Sequence, residues 1–411
     1  MDATATPATQ RKPARRTVAA PLVPDEQRSD AIGEPPEIRD LLADYASVAL
    51  VLQGGGALGA YQAGVFQALD EAGIDPVWLS GVSIGAINAA IIAGNHRGDR
   101  LDRLRDFWET VSKRKVWHWN PEGDWMRRLR NHTSSSMTMM HGLSGFFQPR
   151  PVNPWLRLPG ASGATSFYDT SMLEGTLNRL VNWDVLNDPQ RRLSVGAVNV
   201  RTGNFRYFDS QIERIGPQHI MASGALPPAF PAVHIENEYY WDGGIVSNTP
   251  LQYLLEQEEM HDTLVFQVDL FSARGILPRD MGDVMARHKD IMYSSRTRNN
   301  TDTFRRLHNL RLWLHKALQK VPAERLTDED RAFLTSMEED VPQINIVHLI
   351  YQQKIYESDA KDYEFSGTSM REHWESGYQD TRKTLRHRKW LVKPPESIGM
   401  TVHDVHRDDP T

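Results

Sequence analysis

The segment SVALVLQGGGALG at residues 47–59 limits the possible folds more than any other stretch of this chain. An apolar, β-branched run breaks onto glycines and reopens with Tyr61, Val65, Ala68, Leu69 and Ala72 at helical spacing. This reads as a buried parallel strand, a glycine loop and a helix closed by Gly73. A second cycle follows at once, with VWLSGVS as a short strand and Ile84, Ile87, Ala90 and Ile91 as the apolar face of the next helix. Further on, LSVGAVNV and NFRYFD flank Arg201-Thr202-Gly203 as hairpin arms would, and TLVFQVDLF is another buried-strand candidate. Strands alternating with helices predict an α/β fold with a largely parallel central sheet.

The glycine loop admits two chemistries. Gly54, Gly56 and Gly59 satisfy G-x-G-x-x-G between strand and helix, where a dinucleotide pyrophosphate could sit. Consecutive glycine amides can equally converge on an oxyanion. A dinucleotide fold wants an acidic residue at the end of the next strand, and VWLSGVS carries none. Gly81-Val82-Ser83-Ile84-Gly85 stands there instead, a G-x-S-x-G at a strand-to-helix turn. Glycines at both flanks permit the cramped turn that exposes a serine hydroxyl, so Ser83 is the candidate nucleophile. A lone G-x-S-x-G is weak, and the preceding glycine loop gives this one its weight.

A serine hydroxyl needs a base within hydrogen-bond reach. Among fifteen histidines, His234, His261 and His288 lie downstream in the order an α/β-hydrolase would use, but none sits in a motif. Asp242 closes the aromatic run Tyr239-Tyr240-Trp241 and is followed by Gly243 and Gly244. A carboxylate there can face a pocket; capping the next turn is the commoner task for Asp-Gly.

The ordered blocks GGGALGAYQAG, GVSIG, MASGALPPAFPAV and WDGG followed by IVSNTPL resemble the patatin-like phospholipase family over residues 47 to 271. The resemblance implies a three-layer α/β fold and a serine acyl hydrolase acting on lipid acyl esters, of phospholipase A or lysophospholipase type. It implies a Ser-Asp dyad, with Ser83 as nucleophile and Asp242 as base. It also implies an oxyanion hole from the amides around Gly54, Gly55 and Gly56, with Gly59, Gly81, Gly85, Gly243 and Gly244 supporting the motifs. Many members carry Arg or Lys where this chain has Leu58, which weakens the expectation of a phosphate contact more than that of hydrolysis. Residues 363–381, YEFSGTSMREHWESGYQDT, resemble an extension found in a bacterial subset of the family, whose role the resemblance does not imply. Acyltransferase, thioesterase or storage-polyester depolymerase activity on the same dyad, or a non-catalytic lipid-binding module, are the alternatives.

The expected organisation is a disordered arm over 1–40, an acyl hydrolase domain over 45–275, a mainly helical extension over 276–395 and a polar tail over 396–411. Residues 113–165 interrupt the strand-helix rhythm with Trp117, Trp119, Trp125, Met137, Met139, Met140, Phe146, Phe147 and Trp155. Packing over a sheet face is the favoured reading of this insert, and a lid or interfacial element the other. Over 276–320 there are 10 Lys or Arg against 4 Asp, and Phe304, Leu307, Leu310, Leu314, Ala317 and Leu318 recur at helical spacing. Docking of that stripe on the catalytic domain is favoured, and contact with an anionic membrane through 296–320 is the alternative.

Composition closes off other classes. The chain has no cysteine, hence no disulfide, thiolate metal site or cysteine nucleophile. A net charge of -6 gives no bias towards nucleic acid. No clustered ligand set or zincin motif appears, so neither metal nor organic cofactor is expected. No apolar run reaches the ~18 residues of a spanning helix, so a cytoplasmic protein with at most peripheral membrane contact is expected.

Overall fold

A computed structural model describes residues 36–112, 123–257, 261–336, 342–395 and 398–404. Nine strands form one sheet: β1 (Ser47–Leu52), β2 (Trp78–Gly81), β3 (Arg192–Asn199), β4 (Phe205–Asp209), β5 (Val233–Ile235), β6 (Glu238–Asp242), β7 (Thr263–Asp269), β8 (Ile344–Ile350) and β9 (Met400–Asp404). The strands β9-β8-β7-β1-β2-β3 are parallel neighbours in that order, while β4, β5 and β6 pair antiparallel. All of β7 is buried, as a near-continuous apolar run covered on both faces must be.

One detail of register positions the site. On β3, residues 192–195 pair with β2, residues 194–198 with β4, and residues 197–199 with β6. A strand residue has one neighbour on each edge, so the overlaps place β4 on one edge and β2 and β6 head to head on the other. Gly81 at the tip of β2 pairs with Val195, and Asp242 at the tip of β6 pairs with Ala197. The two tips therefore meet across a gap of one β3 residue, Gly196.

The helices include α1 (Pro36–Ala43), α2 (Gly59–Glu71), α3 (Ile84–Ala93), α4 (Asp124–His141), α5 (Pro217–Ser223), α6 (Met281–Leu318) and α7 (Gly367–Arg386). The segment expected as a disordered arm ends in α1, whose Ile38 is fully buried; residues 1–35 lie outside the described residues. The segments beyond residue 275 complete the same sheet. They contribute β8 and β9, the latter formed by residues 400–404 where a polar tail was expected. Its polar composition suits the position, since β9 is an edge strand paired only with β8.

Helix α7 carries the family-like extension segment and packs closely on α2. A Cβ on Gly64 would meet the Trp374 carbonyl, and one on Gly377 the Tyr61 carbonyl, so a glycine from each helix lets the backbones touch. Three polar contacts tie the pair: Trp374 Nε1–H donates to Gln67 (2.7 Å), Tyr378 O–H to Glu71 (2.7 Å) and Tyr61 O–H to Asp380 (3.0 Å).

Along α6, the expected apolar stripe docks only in part. Leu312 is buried and Phe304 packs against the core, but Leu310 is 63% and Trp313 72% exposed. The buried row runs instead through His308, whose ring bonds the Pro342 carbonyl at 2.9 Å. Of the insert, residues 113–122, with Trp117 and Trp119, lie outside the described residues. Phe146 and Phe147 are core residues as the packing reading expected, whereas Trp125, Met140 and Trp155 face solvent.

Candidate active site

Ser83 stands between β2 and α3 with φ 57° and ψ −125°, a backbone conformation that a non-glycine residue adopts only under strain. The flanking glycines explain how the turn closes. A Cβ on Gly81 would collide with the backbone of Gly85, and one on Gly85 with the Leu52 carbonyl. Ser223, at the end of α5, locks the elbow. Its Oγ accepts from the Ser83 N–H at 3.0 Å and donates to the Gly196 carbonyl at 2.7 Å.

Asp242 is 2% exposed. Its carboxylate accepts a hydrogen bond from the Gly244 N–H at 2.7 Å and lies beside the Ser83 hydroxyl. Burial pushes its pKa up to about 6, and the nearby Ser83 hydroxyl and Gly244 N–H only partly offset that rise. Gly243 matters for a packing reason, since a Cβ there would fall on the Gly196 carbonyl and push the turn off β3.

The glycine loop lies against the candidate nucleophile, with the position of a Cβ on Gly54 only 3.0 Å from Ser83 Cβ. It is held by Asn248, whose main-chain carbonyl accepts from the Gly54 N–H (3.2 Å) and whose Nδ2 donates to the Gly54 carbonyl (2.9 Å). The Gly54 amide is thus already engaged, which corrects the expectation that all three glycines supply the oxyanion hole. The N–H groups of Gly55 and Gly56 have no hydrogen-bond partner among the described residues, and both glycines line the cavity. Gly59 packs against Ile84 and Trp108, tying α2 to α3. Leu58 is fully buried in the core, so its side chain does not reach the cavity.

The cavity above Ser83 and Asp242 measures about 290 Å³. Phe146, Phe147, Tyr168 and Phe230 form an aromatic wall, with Phe147 4.9 Å from Tyr168 and 5.1 Å from Phe230 between ring centres. Tyr293, Asp362, Tyr363 and Phe365, all beyond residue 275, line it as well. Asp362 is anchored by Lys289 at 2.8 Å, and burial outweighs that cation to hold its carboxyl above the usual range. His234, His261 and His288 are all exposed, and no histidine lines the cavity among the described residues.

Sequence reasoning missed Ser223, Asn248 and the wall beyond residue 275. Asn248 lies inside the quoted IVSNTPL block and Ser223 inside MASGALPPAFPAV, but nothing in either string marks them as supports.

The patatin-like phospholipase family model matches residues 50–255, the span that holds the glycine loop, the Ser83 elbow and Asp242. The chain belongs to the patatin-like phospholipase family. A second family model, described as patatin phospholipase, matches residues 291–397, a span that holds β8 and the cavity residues Tyr293, Asp362, Tyr363 and Phe365 but not β9. Lysophospholipase nte1 of Aspergillus terreus is 57% identical over 47 residues, covering 11% of this chain. The match spans 3% of that protein's own length. The crystal structure of VipD from Legionella pneumophila aligns at 17% identity and TM-score 0.36, over 83% of this chain and 67% of that one. A likeness of that size carries no functional argument.

Proposed function

We propose that this patatin-like protein is a serine acyl hydrolase of lipid acyl esters, working through Ser83 and Asp242. The observation that carries the reading is that Ser83 and the buried Asp242 carboxylate, whose pKa is about 6, lie side by side in the lining of one cavity. That value makes Asp242 a better proton acceptor than a solvated aspartate, yet leaves it ionised at neutral pH.

Ser83 attacks the ester carbonyl while Asp242 takes its proton, and the unpartnered amides of Gly55 and Gly56 stabilise the oxyanion. Collapse of the tetrahedral intermediate breaks the ester C–O bond, with the Asp242 proton going to the leaving alkoxide. Water then attacks the acyl-enzyme as Asp242 accepts its proton, and that proton returns to Ser83 as the acid leaves. The aromatic wall suits an acyl chain. Among the described residues no helix is long and apolar enough to cross a membrane, which fits peripheral contact with the lipid substrate.

The test is hydrolysis of a monomeric nitrophenyl ester and of lysophosphatidylcholine by Ser83→Ala and Asp242→Asn. Each folded variant should lose roughly a thousandfold or more in kcat. A fluorophosphonate should label Ser83 in the unmodified protein. Wild-type turnover by either variant would refute the dyad.

A further inference from the structure

We infer that the loop over residues 150–167 is a lipid-docking element that seats the cavity mouth on a membrane surface; the inference rests on the reading of the cavity as a lipid site. Three exposed side chains carry it: Trp155, Leu156 and Leu158 are 85%, 81% and 80% exposed. Large apolar groups grouped in this way at a surface mark a contact rather than a solvated loop.

The loop's place in the fold fits that role. It leaves and rejoins the body at a two-residue ladder, Gln148–Pro149 against Tyr168–Asp169, and Phe147 and Tyr168 beside that ladder both line the cavity. Met139, another cavity residue, is bonded through its carbonyl to the Tyr168 hydroxyl at 2.7 Å and is itself 44% exposed, next to Met140 at 69%. The base of the loop thus adjoins the wall of the cavity.

The loop is also built to hold its shape. Asn153 caps a short turn by accepting from the Trp155 N–H at 3.1 Å, with Pro154 at the first position of that turn, and Arg157 donates to the Ser162 carbonyl at 2.6 Å. Ordering it on contact therefore loses little entropy. Its charge does not oppose an anionic lipid surface, since residues 150–167 contain no acidic residue and Arg157 stands in the loop, while Arg150 pairs with Asp169 at its base at 3.8 Å. Tryptophan beside leucine is the composition that settles at a bilayer interface.

The basic half of α6 is less well placed for the same task. His308 contacts Pro342 and Gly399, which lie just before β8 and β9 begin, whereas Gly54 and Ser83 lie just after β1 and β2 end. These strands run parallel, so that half of α6 sits at the opposite end of the sheet from the cavity.

The test is co-sedimentation with vesicles of phosphatidylcholine and phosphatidylglycerol, with every protein carrying Ser83→Ala so that binding is read apart from hydrolysis. Combined Trp155→Ser, Leu156→Ser and Leu158→Ser should weaken binding by roughly tenfold or more with an unchanged unfolding midpoint. Combined Leu310→Ser and Trp313→Ser should leave binding intact. Trp155→Ala alone should weaken binding about threefold, and serves if the triple variant fails to fold. The inference is overturned if the parent does not sediment, if the loop variants bind like the parent, or if the α6 pair carries the loss. Unchanged vesicle binding with a change in oligomeric state would assign the loop to a protein contact and overturn it as well. Failure of the hydrolytic assay with intact vesicle binding would strike the proposed reaction and leave the docking surface standing.

Discussion

Ser83 and the Asp242 carboxylate lie side by side across the gap between two strand tips, β2 and β6, that share one edge of β3. The carboxylate is buried, and that burial sets both its basicity and its effect on stability.

In the proposed role of proton acceptor Asp242 must be ionised, and its pKa stands at about 6. On a monomeric ester, kcat/KM should level off above that pH and fall about tenfold per pH unit below it. A pH–rate profile checks this. Full activity persisting to pH values near the ordinary aspartate range would mean that a different group accepts the proton.

The same shift predicts an effect on stability with a definite sign. The native carboxyl holds its proton up to about 6, against 3.8 for the free group, so the native state binds more protons between those values. Stability therefore declines as pH rises through that window, and above it the buried charge is a standing penalty. Asp242→Asn should raise stability at about pH 8 by about 2–3 kcal/mol, with the gain vanishing near pH 4. Denaturant unfolding at the two pH values tests it, and an equal gain at both would show that the charge is not its source.

Gly56 has φ +55°, and a Cβ on it would fall on the main-chain carbonyl of Asp362. Gly56→Ala should cost about 1–3 kcal/mol and lower kcat by more than about tenfold as the loop amides shift. Gly175, on the exposed face of the helix Ser171–Leu180, has nothing within 4 Å of its Cβ position. There Gly175→Ala should stabilise by about 0.5–1 kcal/mol and leave kcat unchanged. Thermal unfolding with a single-substrate assay separates the two.

Much of this was legible in order along the chain. The strand-glycine-helix units at 47–71 and 78–93, the hairpin around Arg201-Thr202-Gly203 and the buried run of β7 form as their periodicity predicts. Local rules suffice there because glycine conformation and side-chain periodicity act over a few residues. The stripe along α6 misled for a related reason: helical spacing shows that a face is apolar, and His308 and Leu312 decide which row is buried.

By itself the sequence determined the α/β class, the elbow at Ser83 and an aspartate at a strand end, because each is written in contiguous residues. Only the tertiary structure decided that Asp242 lies beside Ser83, that Asn248 engages the Gly54 amide, and that Tyr293, Asp362 and Tyr363 wall the cavity. Those relationships depend on which edge of β3 each strand occupies and on how residues after 275 fold back over the sheet. Pairing across such separations is set by burial and register of the whole sheet, which no single segment encodes.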